Sequence, residues 1–178
     1  MAIRWIDATP DLRLPALPLD PDASQRPQGL VDVWIAPAVD QRVMVHLRAR
    51  EVEQGGLLVG QAFVDPRSSS LAHIRVLKSA AAADAEGTAF SLRMGSGVWQ
   101  AAQALLEPGE LIVGWYHSHP GLTAFFSDTD RQTQRAFFGH PYSIGWVIDP
   151  RNGDEALFLG PDCTNVTRGT DALDGAAR

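Results

Sequence analysis

The chain has 178 residues, with 15 Lys and Arg against 21 Asp and Glu, a formal net charge of −6 and a pI near 5.2. At ~100–200 residues per domain this is the length of one domain. The acidic balance argues against nucleic acid or an anionic membrane as the main partner. No apolar run reaches the ~18 residues of a membrane span. A single cysteine, Cys163, excludes an internal disulfide and a Cys-rich zinc module. The opening residues Met-Ala-Ile-Arg-Trp-Ile lack the apolar core of a secretory signal, so a cytoplasmic protein is expected.

Residues 1–30 hold Pro10, Pro15, Pro18, Pro21 and Pro27. Proline removes backbone donors and disfavours helix before it, so an extended arm is expected there. Val31–Ile35 reads as a short strand. From Pro37 a helix runs to about Arg50 on the spacing of Val39, Val43, Met44 and Leu47. Gly56–Val64 and His73–Leu77 read as strands around the turn-rich Asp65–Ser70, and Ala80–Gly87 as a loop. Val98–Leu106 has helical spacing that Glu107-Pro108-Gly109 stops, and Leu111–Tyr116 is an apolar run of buried-strand type. Another helix is expected from Ser127 to about Phe138. Tyr142–Ile148 and Glu155–Leu159 flank the turn Asp149–Asp154 and read as a hairpin. From Pro161 the pattern is lost, so residues 161–178 read as a tail, with disorder the expectation. Strands interspersed with about three helices make an α/β (α+β) domain over residues 31–160.

The chemistry concentrates after the buried run, at His117-Ser118-His119-Pro120. Side chains two apart on a strand share a face, so both imidazoles can point at one spot. Imidazole suits zinc, and a catalytic zinc takes three protein ligands and leaves a position for water. Ser127-Asp128-Thr129-Asp130 offers a carboxylate where the next helix begins. Ser127 and Asp130 also have the form of a capping pair. The two roles are compatible, because a capped helix start holds a carboxylate rigidly. His46, His73 and His140 have no second ligand at a metal-like spacing. Trp115 and Tyr116 read as core aromatics.

His117, His119, Ser127 and Asp130 satisfy His-x-His-x7-Ser-x2-Asp, and Glu53-Gln-Gly-Gly56-Leu-Leu58-Val-Gly60 stands upstream. Together these segments resemble the JAMM (MPN-domain) zinc metalloprotease family, from about Val31 to Gly160. Thr123-Ala124-Phe125 is especially similar to the endosome-associated deubiquitinases. The resemblance implies a cytidine-deaminase-like mixed β-sheet and one Zn²⁺ per chain, bound by His117, His119 and Asp130. It implies Glu53 as the general base toward a zinc-bound water and Ser127 as a hydrogen-bond donor to the developing oxyanion. Zinc can bring the pKa of bound water to about 7, so a neighbouring carboxylate is a competent proton acceptor. Glu51 is a rival base, but it does not fit the glycine spacing. Of Phe125 and Phe126, one is expected to pack inward and the other to meet substrate.

Members of that family hydrolyse amide bonds, chiefly the isopeptide bond after the Gly-Gly tail of ubiquitin or a ubiquitin-like protein. The implied substrate is therefore a ubiquitin-like protein or its conjugates, with Ala80–Phe90 as a substrate-facing insertion and the tail added as a strand. Of the 15 basic residues all but Lys78 are Arg, which fits a GC-rich bacterial source. For bacterial members the resemblance implies activating and conjugating enzymes as operon partners and a role in antiviral defence. The second, structural zinc of the endosomal relatives is not expected, since Cys163 is the one downstream cysteine. Two other readings stay open. One is a peptidase that processes a sulfur-carrier protein or a cell-wall-like peptide, and the other is an inactive MPN interaction scaffold.

Overall fold

The longest apolar runs of the sequence become the inner strands of one sheet. The computed structural model describes residues 13–18, 30–83, 86–87 and 92–173. In chain order it contains β1 (Asp32–Ile35), α1 (Pro37–Leu47), β2 (Gly55–Val64), β3 (Leu71–Ala81), β4 (Glu86–Gly87) and β5 (Leu92–Arg93). Then follow α2 (Gly97–Ala104), β6 (Leu111–Ser118), α3 (Asp128–Phe137), β7 (Ile144–Ile148), β8 (Glu155–Leu159) and β9 (Thr164–Val166). Seven strands form a mixed sheet in the order β1-β3-β2-β6-β7-β8-β9, and β4 with β5 forms a separate two-stranded ribbon. The mixed α+β class and the three helices agree with the sequence reading.

Each face of the sheet has its own core. Val39, Val43 and Leu47 of α1 pack with Val33, Leu58, Ile74, Tyr116 and Trp146. On the other face Val98 and Ala102 of α2 pack with Leu57, Val59, Trp115, Phe126, Phe138 and Phe158. Helices on both faces explain why β2 and β7 are apolar on both sides and show no alternation.

A β-bulge on β6 decides which face receives His117. Leu58 pairs with Gly114, yet the next β2 residue, Val59, pairs with Ile112. One extra residue reverses the alternation of side chains. Val113 and Tyr116 therefore both lie in the α1 core, while Trp115 lies in the core of α2. Gly114 permits this, with φ +152° and with Ile144 O only 1.9 Å from where a Cβ would stand. His117, two residues past Trp115, is thereby turned away from α1.

Three expectations are corrected. The stretch from Pro161 is ordered through residue 173. Thr164–Val166 pairs with β8, and the chain then reaches the opposite edge, where Gly169 N–H donates to Val33 O at 2.9 Å. That segment covers the outer side of β1, which would otherwise be an open sheet edge. The second correction concerns Ala80–Gly87. Ala80 and Ala81 extend β3 by pairing with Leu57 and Gly56, and Glu86–Gly87 is β4. Cross-strand partners outweigh the weak strand preference of alanine. Third, β3 begins at Leu71 and runs well beyond Leu77. Of the Pro-rich arm, Pro15 to Leu17 form a single bridge with the end of β2, where Leu17 N–H donates to Val64 O at 2.8 Å. Most of the arm, and residues 174–178, lie outside the described residues.

Candidate metal centre

The centre sits where β6 ends between β2 and β7. His117 is in register with Gly55 on β2 and with Val147 on β7. His119 follows past the strand end, its N–H donating to Ile148 O at 2.9 Å. The chain then turns sharply through Gly121 and Thr123, both at positive φ, +78° and +69°. One buried carboxylate grips this loop. Asp149 accepts from the backbone N–H of Gly121 at 2.9 Å and of Thr123 at 3.2 Å, and also from Arg151 N–H at 2.9 Å.

The loop delivers the chain to the N-terminus of α3, where a complete capping box forms. Ser127 Oγ accepts from Asp130 N–H at 3.2 Å, and Asp130 Oδ2 accepts from Ser127 N–H at 2.8 Å and from Ser127 Oγ–H at 2.7 Å. Asp130 is thus held by its own helix and aimed at the strand end.

The Nε2 atoms of His117 and His119 lie 3.2 Å apart. Asp130 Oδ1 is 3.1 Å from His117 Nε2, and its Oδ2 is 3.5 Å from His119 Nε2. A tetrahedral zinc with bonds of ~2.0–2.1 Å sets its ligands about 3.3 Å apart, and these separations, counted over both Asp130 oxygens, are of that order. Both Nδ1 atoms are buried without a hydrogen-bond partner among the described residues. Burial pushes His117 down, toward the neutral imidazole that binds metal. Burial opposes ionisation of Asp130, but its hydrogen bonds with His117, His119 and Ser127 prevail and hold it well below the usual carboxylate range.

Glu53 is buried, and its Oε1 lies 3.8 Å from His119 Nε2. Burial, opposed by His119 and reinforced by Asp130, pushes its carboxyl up to about 7. Its segment is tied to β6 through Ser118 N–H, which donates to Gln54 O at 2.9 Å. Glu51 points elsewhere, exposed and paired with Arg151. The glycine at the start of β2 serves close approach: a Cβ on Gly56 would stand 2.1 Å from Ala80 O.

All five residues expected of the site, Glu53, His117, His119, Ser127 and Asp130, line one pocket of about 420 Å³. Phe126 packs inward at 5% exposure, while Phe125 is 46% exposed at the pocket and 4.9 Å, ring to ring, from His119. Sequence reasoning missed Trp99, Gln134 and Asp149. Gln134 alone carried a signal, since it stands four residues after Asp130 on the same helical face. His46, His73 and His140 lie elsewhere: His46 meets Tyr116 Oη, His73 lies 3.6 Å from Asp171 and His140 stacks on Tyr142.

Residues 36–158 match the family of prokaryotic homologs of the JAB domain (Prok-JAB). The chain belongs to the JAB (JAMM/MPN) family. It is 34% identical over 114 residues to the NAD(+) hydrolase TcpA of Theionarchaea archaeon (strain DG-70-1), covering 64% of this chain and 32% of that protein. It is 31% identical over 124 residues to the 26S proteasome regulatory subunit RPN11 of Eremothecium gossypii, covering 66% and 38%. The ubiquitin carboxyl-terminal hydrolase RPN11 of Saccharomyces cerevisiae is 30% identical over 124 residues, with the same shares. The chain spans about a third to two fifths of the length of these curated relatives. The JAB match contains every residue of the candidate centre.

Proposed function

We propose that this JAB domain is a zinc-dependent isopeptidase or peptidase that removes or processes a ubiquitin-like modifier. The observation that carries the reading is the convergence of His117, His119 and Asp130 on one point, with the Glu53 carboxyl beside it. Support for the substrate comes from similarity to a protein named ubiquitin carboxyl-terminal hydrolase.

His117, His119 and Asp130 would hold a zinc ion, which when bound supplies a Lewis acid and a water acidic near neutral pH. Glu53 accepts a proton at its carboxylate, keeps it within the buried pocket and returns it to the leaving amine. Ser127 has one hydroxyl proton, which it gives to Asp130 Oδ2. To serve a developing oxyanion, that hydroxyl turns from Asp130 to the substrate oxygen. Phe125, Leu122, Trp99 and Phe137 line the same pocket and offer apolar surface to an extended tail.

The resemblance alone supports a finer reading, in which a cytoplasmic bacterial system encodes the modifier with its activating and conjugating enzymes for antiviral defence. The test is a panel of ubiquitin-like and sulfur-carrier fusions, incubated with and without a chelator. Cleavage of a ubiquitin-like fusion that stops with chelator is the expected result. Cleavage confined to sulfur-carrier fusions would make the protein a processing peptidase. A zinc-loaded protein that cuts nothing would make it a scaffold.

A further inference from the structure

Metal-ligating histidines ordinarily have their ring plane set by a hydrogen bond from the second ring nitrogen. Among the described residues His117 lacks this: its Nδ1 is buried with no hydrogen-bond partner there. The contact that orients its ring is instead a stack. The Trp115 indole lies face to face with the His117 imidazole, centroids 4.5 Å apart and planes 7° apart. Trp115 also stacks with Phe138 at 5.6 Å and 7°, and meets Phe126 at 5.8 Å with its plane tilted by 41°. A stack leaves rotation within the plane free, so something must set where the indole stops.

Gln134 does so. It is fully buried on α3, one turn after Asp130. Its Oε1 accepts from Trp115 Nε1–H at 2.7 Å, and its Nε2 donates to Ser143 O at 3.0 Å and Phe138 O at 3.3 Å. The amide orientation is unambiguous, because the indole can only donate and the two carbonyls can only accept. Gly145 leaves room for Phe126 and Gln134 together, since a Cβ there would stand 2.2 Å from Phe126 Cζ and 3.0 Å from Gln134 Oε1. One helix face thus carries both the Asp130 carboxylate and the group that aligns, through Trp115, the imidazole opposite it.

We propose that Gln134 is a positioning residue for the metal centre, setting the plane of His117 through Trp115. The inference rests on the metal-centre reading and adds to it a residue that touches neither metal nor substrate. Loss of such an outer partner typically weakens metal binding about 10–100-fold.

The test compares wild type with Gln134→Met, which keeps volume but offers the indole N–H only a weak thioether acceptor, and with Trp115→Phe, which keeps a ring but has no N–H. Zinc affinity is measured by chelator competition, and ligand geometry by the visible absorption of the Co²⁺-loaded protein. Folding is followed by thermal melting. Both variants should bind zinc about 10–100-fold more weakly and show an altered cobalt spectrum. If Gln134→Met does not fold, Trp115→Phe alone decides. Wild-type zinc affinity and cobalt spectrum in a folded variant would overturn the proposal and reduce Gln134 to core packing. A wild-type protein that takes up neither metal would overturn the metal-centre reading itself.

Discussion

Glu53 Oε1 lies 3.8 Å from His119 Nε2, whereas Glu51, two residues earlier, is 81% exposed and paired with Arg151. The two carboxylates are separated by environment, and only one can exchange a proton inside the pocket. Exposed ion pairs are worth about 0–1 kcal/mol. Glu51→Ala should therefore leave turnover within about twofold of wild type and barely move the melting temperature. A loss of a hundredfold would transfer the base role to Glu51.

Asp130→Asn separates the capping role of that side chain from its proposed role as a metal ligand. The amide oxygen can still accept from Ser127 N–H, so the capping box survives in part and the domain should remain folded. Zinc affinity should fall by more than the about 10–100-fold that loss of an outer partner costs. Chelator competition alongside a thermal melt checks both halves. A variant that binds zinc like wild type would remove Asp130 from the ligand set.

Asp149 anchors the loop that carries His119 toward α3. Burial opposes its ionisation, but backbone N–H groups from Gly121, Arg151, Thr123 and Asn152 prevail and lower its pKa. A carboxyl depressed in the folded state contributes stability above its unfolded value of about 3.9, and that contribution disappears as pH falls through the folded value. Asp149→Asn should cost about 1–3 kcal/mol at pH 7. The gap between wild type and variant should narrow on acidification below about pH 4. Melts across that range decide, and a gap independent of pH would mean that the charge plays no part.

Removal of residues 161–178 tests the ordered C-terminal segment. It takes β9 from the sheet edge and Cys163 from the core of α2, and it removes Asp171, whose carboxylate pairs with Arg75 at 2.7 Å. At about 2–4 °C per kcal/mol for a chain of this size, the melting temperature should drop by more than 10 °C. A truncated protein that melts with the full chain would show the segment to be dispensable.

The candidate metal ligands were legible because their chemistry is local: two histidines stand two apart at a strand end, and the serine and aspartate make a capping box within the next helical start. Glu53 could be placed only through its resemblance to a known pattern, since nothing near it in sequence reveals that β2 runs beside β6. The bulge at Gly114 left no trace in the alternation, because both faces of that strand are apolar. β9 escaped detection for the opposite reason: three residues without alternation are defined by their partner β8. Gln134 stands one turn after Asp130, but a polar residue on a helix reads as part of a solvated face, so that spacing was not enough to single it out. Here it is fully buried, with its amide satisfied at both ends.

The most direct measurement is zinc content and cleavage rate, taken on the same preparations of wild type and Glu53→Ala. A proton-transfer group that is not a ligand can be removed without losing the metal. Such groups contribute about 10²–10⁴ in rate. The account predicts one zinc per chain in both proteins, with hydrolysis of a ubiquitin-like fusion reduced by that factor in Glu53→Ala. Zinc missing from wild type, or full activity in zinc-loaded Glu53→Ala, would contradict it.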